Sequence, residues 1–550
     1  LQRFVAAAGV SEIDVWPAGR ASLWNAAIYP VCHSQKEAVA AALSVWRIAQ
    51  GTASAQDLDT WRAAERTSLW KSFTEADVLA NLEWDRHVEN LVRAERCLTR
   101  LRNKQEIQTA LAELSADEDL EREAALLLER AAHEDFSTKI RIYLALSDAC
   151  KAQRRSLCGK DAEDFENLCY DTVREETTAA VRAAYPVGAC SFHKSEASCN
   201  LPVRVNFCGS PSDAAPYCLE YGGTMIDAAL TLKGKLPIQA RIRRLSEPKI
   251  VFESFDLRAK MEFTDLAAVR ACGDPYDLFA LHKAVLVATG VVPFSLDGLD
   301  MEGLCSRMGG GLYLGTEVDV PKGSGLGTSS LIAAACVKAV NTAMALDTSD
   351  DCVYAQVFSV EQLMNTGGGW QDQVGGMPNG VKFFRSPPGL LPRIKVDILE
   401  LEPTVLQELQ DRFALIFSGQ RRLARNVLRE EMNQTIRSNP AAMEALERIQ
   451  QLCVLMRYEL ERGNVTAFGG YIFEQFELVK RLDKGASNAC IEYIFDVCDD
   501  LIDGKAITGA GGGGFLQVIL KKGVTKAQLR RRIREVFGDC GVEVWECALI

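Results

Sequence analysis

The chain has 550 residues, of which 48% are hydrophobic and 25% charged, and its net charge is −12. That length exceeds a single core and implies about two to four domains. The acidic balance argues against a nucleic-acid or anionic-membrane surface as the main partner, and no apolar run reaches the roughly 18 residues of a membrane span. Eighteen cysteines are scattered without any C-x-x-C pair, and only five histidines accompany them. This pattern reads as free thiols in a reducing intracellular compartment, the cytoplasm by default, rather than as a disulfide scaffold or a zinc site. The chain opens at Leu1 in text that looks structured, so it is expected to be a piece of something longer.

In chain order, residues 1–33 carry short apolar pieces around "IDVWPAGRASLWNAAIYPVC" without a helical period. Between Ser34 and about Tyr185 the text turns helical. "SQKEAVAAALSVWRIAQG", "TEADVLANLEWDRHVENLVRAERCLTRL" and "DEDLEREAALLLERAA" place apolar residues at i, i+3, i+4 and i+7. Ser34 reads as an N-cap and Gly51 as a C′ stop, and His87 and His133 read as solvated or capping side chains. Beyond "YPVGACSFHKSEASCN", the stretches "LPVRVNFCG", "KIVFESFDL", "GLYLGTEVDV" and "GVKFF" read as strands, mixed with helices near 275–290 and 326–346. From about 386, strands "RFALIFSG", "FLQVILK" and "VEVWECA" alternate with helices around 440–462, 465–482, 487–500 and 525–537. The expected class is α+β. The expected divisions are 1–33, a helical domain over 34–195, and two further units over 196–385 and 386–550.

"VDVPKGSGLGTSSLIAAACVKAV" reads as a strand, a tight glycine turn and a helix. Gly323, Gly325 and Gly327 permit positive φ and close approach of the backbone. Unsatisfied N–H groups at a helix N-terminus suit a phosphate, and Thr328, Ser329 and Ser330 add hydroxyls. The Walker pattern fails because no lysine follows Gly327, and G-x-G-x-x-G fails on spacing. A glycine turn leading into a core helix is the alternative. Three more stretches look over-specified for a purely structural role. "RVNFCGSPSDAAPYCLEYGG" carries Arg204 and Asp213, "EQLMNTGGGWQDQVGG" carries Glu361 and Asp372, and "TGAGGGGF" leaves almost no side chain at a turn.

In this order the four blocks resemble the GHMP small-molecule kinases. "GSGLGTSS" with "GGGWQDQVGG" is most similar to the fucokinase branch, as are "DPYDLFALHKAVLVATG" and "SGQRRLARNVL". The resemblance implies a GHMP kinase fold, with a ribosomal-S5-like α+β subdomain and a ferredoxin-like α+β subdomain behind a mainly helical domain. It also implies a kinase that uses ATP and Mg²⁺ to phosphorylate the anomeric hydroxyl of L-fucose. Gly323, Ser324, Gly325, Leu326, Gly327, Thr328, Ser329 and Ser330, with Gly511 and Gly512, would hold the nucleotide. Ser329 and Glu361 match the family's metal ligands, a hard-oxygen set. Asp372 matches the catalytic aspartate, with Arg204 beside it to support the transferring phosphoryl. Asp213, Gly369 and Trp370 fall at the sugar.

Read without the family, each of these residues also has a structural use. Arg204 can serve an ordinary ion pair, Asp213 a cap or Asx turn, Asp372 a turn, and Glu361 an exposed helix face. The chain departs from the branch pattern R-V-D-L-x-G-G-W-S-D-T-P-P-Y at Asn206, Ser210, Pro211, Ala214 and Ala215. A methyl group in an apolar pocket is worth only about 1–3 kcal/mol, so D-arabinose is expected beside L-fucose as an acceptor. A heptose-phosphate kinase and a catalytically silent sugar sensor are the competing readings. "SLWNAAIYPV" is similar to text that follows the pyrophosphorylase half of bifunctional fucokinases. On that basis residues 1–33 are expected to be a remnant of an upstream pyrophosphorylase-type region, and the helical domain to orient the kinase against it.

Overall fold

The computed structural model describes residues 1–16, 21–104, 106–116, 120–186, 188, 190–274, 276–321, 323–420, 432–509 and 511–550. The chain divides into two units, Leu1–Arg93 and Ala94–Ile550, with the border inside the helix Val78–Arg102. The stretch "SGQRRLARNVL" lies outside the described residues from position 421 on.

The first unit has its own small core of Phe4, Val15, Ile28, Val45, Ile48 and Trp61. Residues 1–33 are neither free of helix nor separate from the helices after them, contrary to expectation. Phe4 and Ala8 sit four apart on the helix Gln2–Ala8, which Gly9 stops in the left-handed conformation. That stripe packs with Trp61, whose ring lies 5.3 Å from Phe4 and whose Nε1–H donates to the Ile28 carbonyl at 2.8 Å. Ser34 caps the helix Gln35–Gln50 by accepting from the Glu37 N–H, and Gly51 ends it with φ 73°.

The second unit corrects the expected border at 195. Helices Phe136–Gln153 and Ala162–Ala184 contribute Ile140, Leu144, Cys169 and Val173 to a cluster that also holds Ala215, Cys218, Phe358, Trp370 and Phe384. A buried ion pair between Arg141 and Glu220 reinforces this joint. A helical segment that shares its core with the sheets is part of one folded body, because removing it would bare that apolar face.

Three sheets build the rest. Glu196–Leu201, Ile238–Leu245, Gly311–Val318, Ile250–Ser254 and Ala259–Phe263 form the first, in that order, with Ile250–Ser254 parallel to Gly311–Val318. The second centres on Gly223–Leu232. Val203–Cys208 pairs along one edge of that strand, and Val381–Ser386 and Cys547–Leu549 pair along the other. The third is antiparallel, in the order Ile502–Ile507, Phe515–Leu520, Phe413–Phe417, Glu543–Trp545. Helices Pro440–Glu461, Val465–Leu482, Ala489–Cys498 and Lys526–Phe537 accompany it.

The stretch "VEVWECA" is two strands in two sheets rather than one. Leu415 faces Trp545 in the third sheet, while Cys547 faces Leu232 in the second. The chain end therefore returns across the expected 385/386 border and ties the halves together. Val203–Cys208 is buried at every position, as a strand covered on both faces requires.

Candidate active site

A cavity of about 600 Å³ gathers residues from all four glycine-bearing blocks. Its floor is the loop 323–327 and the helix Thr328–Met344 after it. Gly327 is the N-cap, at φ 72° and with no side-chain cap, so the first N–H groups of a 17-residue helix are left for an external acceptor. Gly323, Ser324, Gly325, Gly327, Thr328, Ser329 and Ser330 line the cavity as expected of an anion cradle.

Leu326 does not line it. Its side chain is fully buried, and its carbonyl accepts from the Arg204 N–H at 3.2 Å, so it anchors the loop instead.

The glycines have a tertiary explanation. A Cβ on Gly325 would sit 2.1 Å from the Thr508 carbonyl oxygen, and one on Gly514 would sit 2.6 Å from that of Ser324. The Phe515 N–H and the Thr508 hydroxyl both donate to the Ser324 carbonyl, at 2.9 and 3.2 Å. The second and fourth glycine blocks, "GSGLGTSS" and "TGAGGGGF", are thus packed backbone to backbone. Gly511 and Gly512 are corrected as nucleotide contacts. Neither lines the cavity; a Cβ on Gly511 would meet Ala486, and the Gly512 N–H donates to the Ala486 carbonyl at 2.8 Å.

Arg204 projects from the buried strand Val203–Cys208 onto Asp372, near the start of the helix Gln371–Gly376. Its Nε and Nη2 donate to Asp372 Oδ1 at 2.9 and 2.5 Å, and Nη1 donates to the Gly325 carbonyl at 2.8 Å. One guanidinium therefore ties the carboxylate to the glycine loop. Burial works against the Arg204 charge, but Asp372 and Asp227 outweigh it and hold its pKa above the ordinary value.

Glu361 is buried on the helix Asp350–Leu363 and accepts from Ser330 Oγ at 2.7 Å and Thr366 Oγ1 at 2.5 Å. Burial raises its pKa, and these two hydroxyls oppose the rise. The hydroxyl that bridges Glu361 to the Asp372 side, 3.4 Å from Asp372 Oδ2, belongs to Ser330. Ser329 is exposed on the cavity wall.

Asp213 is 1% exposed and accepts the Gln371 N–H at 3.0 Å. Burial pushes its pKa up to about 7. Gly369 is required beside it, since a Cβ there would lie 1.9 Å from Asp213 Oδ2. Trp370 is corrected as a sugar contact. It is fully buried among Phe384, Val374 and Cys218, does not line the cavity, and fixes the loop from behind.

Sequence reasoning passed over Asp227 and Lys382, both fully buried. A lone carboxylate inside the apolar run "TMIDAALTL" and a lone lysine in "GVKFF" were the available signals. Lys382 Nζ donates to the Gly375 and Pro378 carbonyls at 2.5 and 2.6 Å, holding the C-terminal end of the helix that carries Asp372. The Thr366 hydroxyl on Glu361 was missed as well.

Chemically, the site offers a dipole-backed anion cradle, a carboxylate braced by a guanidinium, and a second buried carboxylate one loop away. This is the equipment for moving a phosphoryl group onto a hydroxyl.

The family model for the GHMP kinases N terminal domain matches residues 300–377, which include the cradle, Glu361 and Asp372. Galactokinase of Lactococcus lactis, solved with galactose, superposes with a TM-score of 0.50 at 16% identity, covering 69% of this chain and 98% of that one. The chain belongs to the GHMP kinases. Within that family its sequence groups with the fucokinases. It is 32% identical over 397 residues to the bifunctional fucokinase/GDP-fucose pyrophosphorylase of Arabidopsis thaliana, a match covering 69% of this chain and 37% of that protein. It is 28% identical over 392 residues to the L-fucokinase/L-fucose-1-P guanylyltransferase of Bacteroides fragilis, covering 70% and 41% respectively. The matched region therefore spans only about two fifths of these relatives' length.

Proposed function

We propose that the chain is an ATP-dependent sugar 1-kinase that transfers the γ-phosphoryl group to the anomeric hydroxyl of L-fucose, with D-arabinose as a second acceptor. The observation that carries this reading is the Arg204–Asp372 pair seated directly on the glycine loop, where a hydroxyl and a terminal phosphate would meet. Asp372 would take the proton of the attacking hydroxyl. Arg204 would stabilise charge on the phosphoryl group in flight, and the helix N-terminus would hold the phosphates. Asp213 would orient the sugar by accepting from its ring hydroxyls.

The donor set around Glu361 fits Mg²⁺. Carboxylate and hydroxyl oxygens are hard ligands, and no group of three or more His, Cys, Asp or Glu side chains among the described residues could cage an ion alone. An ion that completes its shell with phosphates and water suits such a site. Glu361 and Ser329 would hold it, and it would neutralise phosphate charge when bound. If Ser329 is the ligand, Ser329→Ala raises the Mg²⁺ concentration needed for half-maximal rate about tenfold. Ser330→Ala would instead lower kcat at saturating Mg²⁺, because its hydroxyl bridges Glu361 and Asp372. The reverse pattern in a Mg²⁺ titration reassigns the ligand to Ser330.

Among the described residues that line the cavity, Arg204 is the only arginine or lysine, and it is committed to Asp372. This supports a neutral sugar over a sugar phosphate as acceptor. The eighteen thiols are all free, which suits a reducing compartment, and no helix among the described residues is long and apolar enough to cross a membrane. An upstream pyrophosphorylase region is proposed as the covalent partner, after the relatives' names.

The test is ADP release across L-fucose, D-arabinose, L-galactose and heptose phosphates. L-Fucose should give the highest kcat/KM. Release only with a heptose phosphate, or with none of them, overturns the reading.

A pH dependence comes from Asp213. With its pKa at about 7 in the folded protein, it is protonated below that pH and accepts fewer hydroxyl bonds. The KM for sugar should therefore fall as pH rises through about 7, and Asp213→Asn should flatten the profile. The same shift has the opposite effect on folding. A carboxyl whose pKa is raised by burial from 3.8 to about 7 makes its contribution at low pH and loses it progressively as pH climbs through that interval. A wild-type KM profile that is flat between about pH 6 and 8, the window around that pKa, removes Asp213 from the sugar.

A further inference from the structure

Arg204 has a second carboxylate behind it. Asp227 lies on the central strand Gly223–Leu232, directly opposite Asn206 in the antiparallel register and opposite Lys382 on the other side. It is 0% exposed. Its Oδ1 accepts from Asn206 Nδ2 at 2.6 Å, while Oδ2 has no hydrogen-bond partner and stands 3.9 Å from Arg204 Nε. A Cβ on Gly375 would lie 2.4 Å from that same oxygen, so the helix bearing Asp372 is packed against it.

An isolated carboxylate at such depth is costly, and a strand interior gives no structural need for one. A protonated carboxyl would also leave its own O–H without an acceptor at Oδ2. Burial raises its pKa, to about 8, while Arg204, the Asn206 amide and Lys382 oppose the rise and favour the charged form.

We propose that Asp227 is a positioning residue for phosphoryl transfer, the standing counter-ion of Arg204. This rests on the kinase reading. In the resting site Arg204 is shared between Asp372 and Asp227. When Asp372 takes the proton of the attacking hydroxyl, its negative charge is lost, and the guanidinium would otherwise be a buried cation without a carboxylate. Asp227 keeps it paired and aimed while it faces the transferring phosphoryl group. Asn206 holds Asp227 in turn, so the carboxylate that the branch pattern places at position 206 is supplied here from the neighbouring strand.

The register makes the idea testable by moving the charge across one strand pair. Asp227→Asn should lower kcat at least tenfold, with the KM for ATP changed less than threefold. The double variant Asn206→Asp with Asp227→Asn, which returns a carboxylate to within reach of Arg204, should recover at least a third of the wild-type kcat. Circular-dichroism melts of all proteins accompany the rates. If Asp227→Asn does not fold, the double variant alone decides: folded and active supports the role, folded and inactive overturns it, and failure of both to fold overturns it in favour of a purely structural charge. A folded Asp227→Asn with wild-type kcat also overturns it. A wild-type protein that releases no ADP with any sugar defeats the kinase reading instead, and is told apart by that control.

Discussion

Asp372→Asn is expected to lower kcat by about 10²–10⁴-fold while leaving ATP binding largely intact. Asn is nearly the same size, and its carbonyl oxygen can still accept from Arg204 Nε, which lies 2.9 Å from Asp372 Oδ1. It cannot accept a proton from a sugar hydroxyl at neutral pH. The phosphate cradle at 323–330 is built mostly from backbone, so nucleotide affinity, measured by calorimetry, should change little. The loss should appear in kcat with every sugar tested, because proton acceptance is needed whatever the sugar. A rate near that of the wild type would show that Asp372 is not the base and that Arg204 alone carries the chemistry at this spot.

Gly325→Ala carries the second large effect. Gly325 has φ +75°, where a side chain costs roughly 1–2 kcal/mol. Its added Cβ would also lie 2.1 Å from the Thr508 carbonyl oxygen, so the two loops must part. The Gly325 carbonyl that receives Arg204 Nη1 at 2.8 Å would move with them. A displacement of about 1 Å in a positioning element costs on the order of 10²-fold in rate. We therefore expect kcat/KM for ATP to drop by about that factor, together with a lower melting temperature. Gly234→Ala is the matched control, since Gly234 has φ +73° and no atom within 4 Å of its would-be Cβ. It should cost about 1 kcal/mol of stability and no activity. Equal effects in the two variants would mean that the close contact between the glycine loops is unimportant.

Much of the site was legible because its chemistry demands unusual residues in fixed order. Glycines at 323, 325 and 327 before a helix, a lone arginine on a strand, an aspartate at 213 in a small-residue loop and one at 372 between two glutamines after three glycines each violate ordinary patterning. Such violations concentrate at functional sites. The misreadings share a cause as well. Trp370 and Leu326 stand within functional blocks, yet apolar side chains there turn inward to fix the loops. Within their glycine block, Gly511 and Gly512 themselves approach Ala486, and sequence cannot tell a backbone neighbour from a ligand. The helices Phe136–Gln153 and Ala162–Ala184 looked separable because their period says only that one face is apolar, not which surface covers it.

By itself, the sequence determined the class of chemistry. Backbone that must bend where only glycine can go, and carboxylates and a guanidinium where apolar residues would pack better, are local facts that survive without a fold. The tertiary structure alone decided which of these groups meet. Arg204 and Asp372 are 168 positions apart, and Ser324 and Thr508 are 184 apart. Only strand register and loop packing bring them within hydrogen-bond reach. The same register sets Asp227 opposite Asn206 and behind Arg204, an arrangement that no reading of "TMIDAALTL" alone contains. Pairing across strands is non-local, and the free energy that selects it comes from burying whole faces rather than from any single residue.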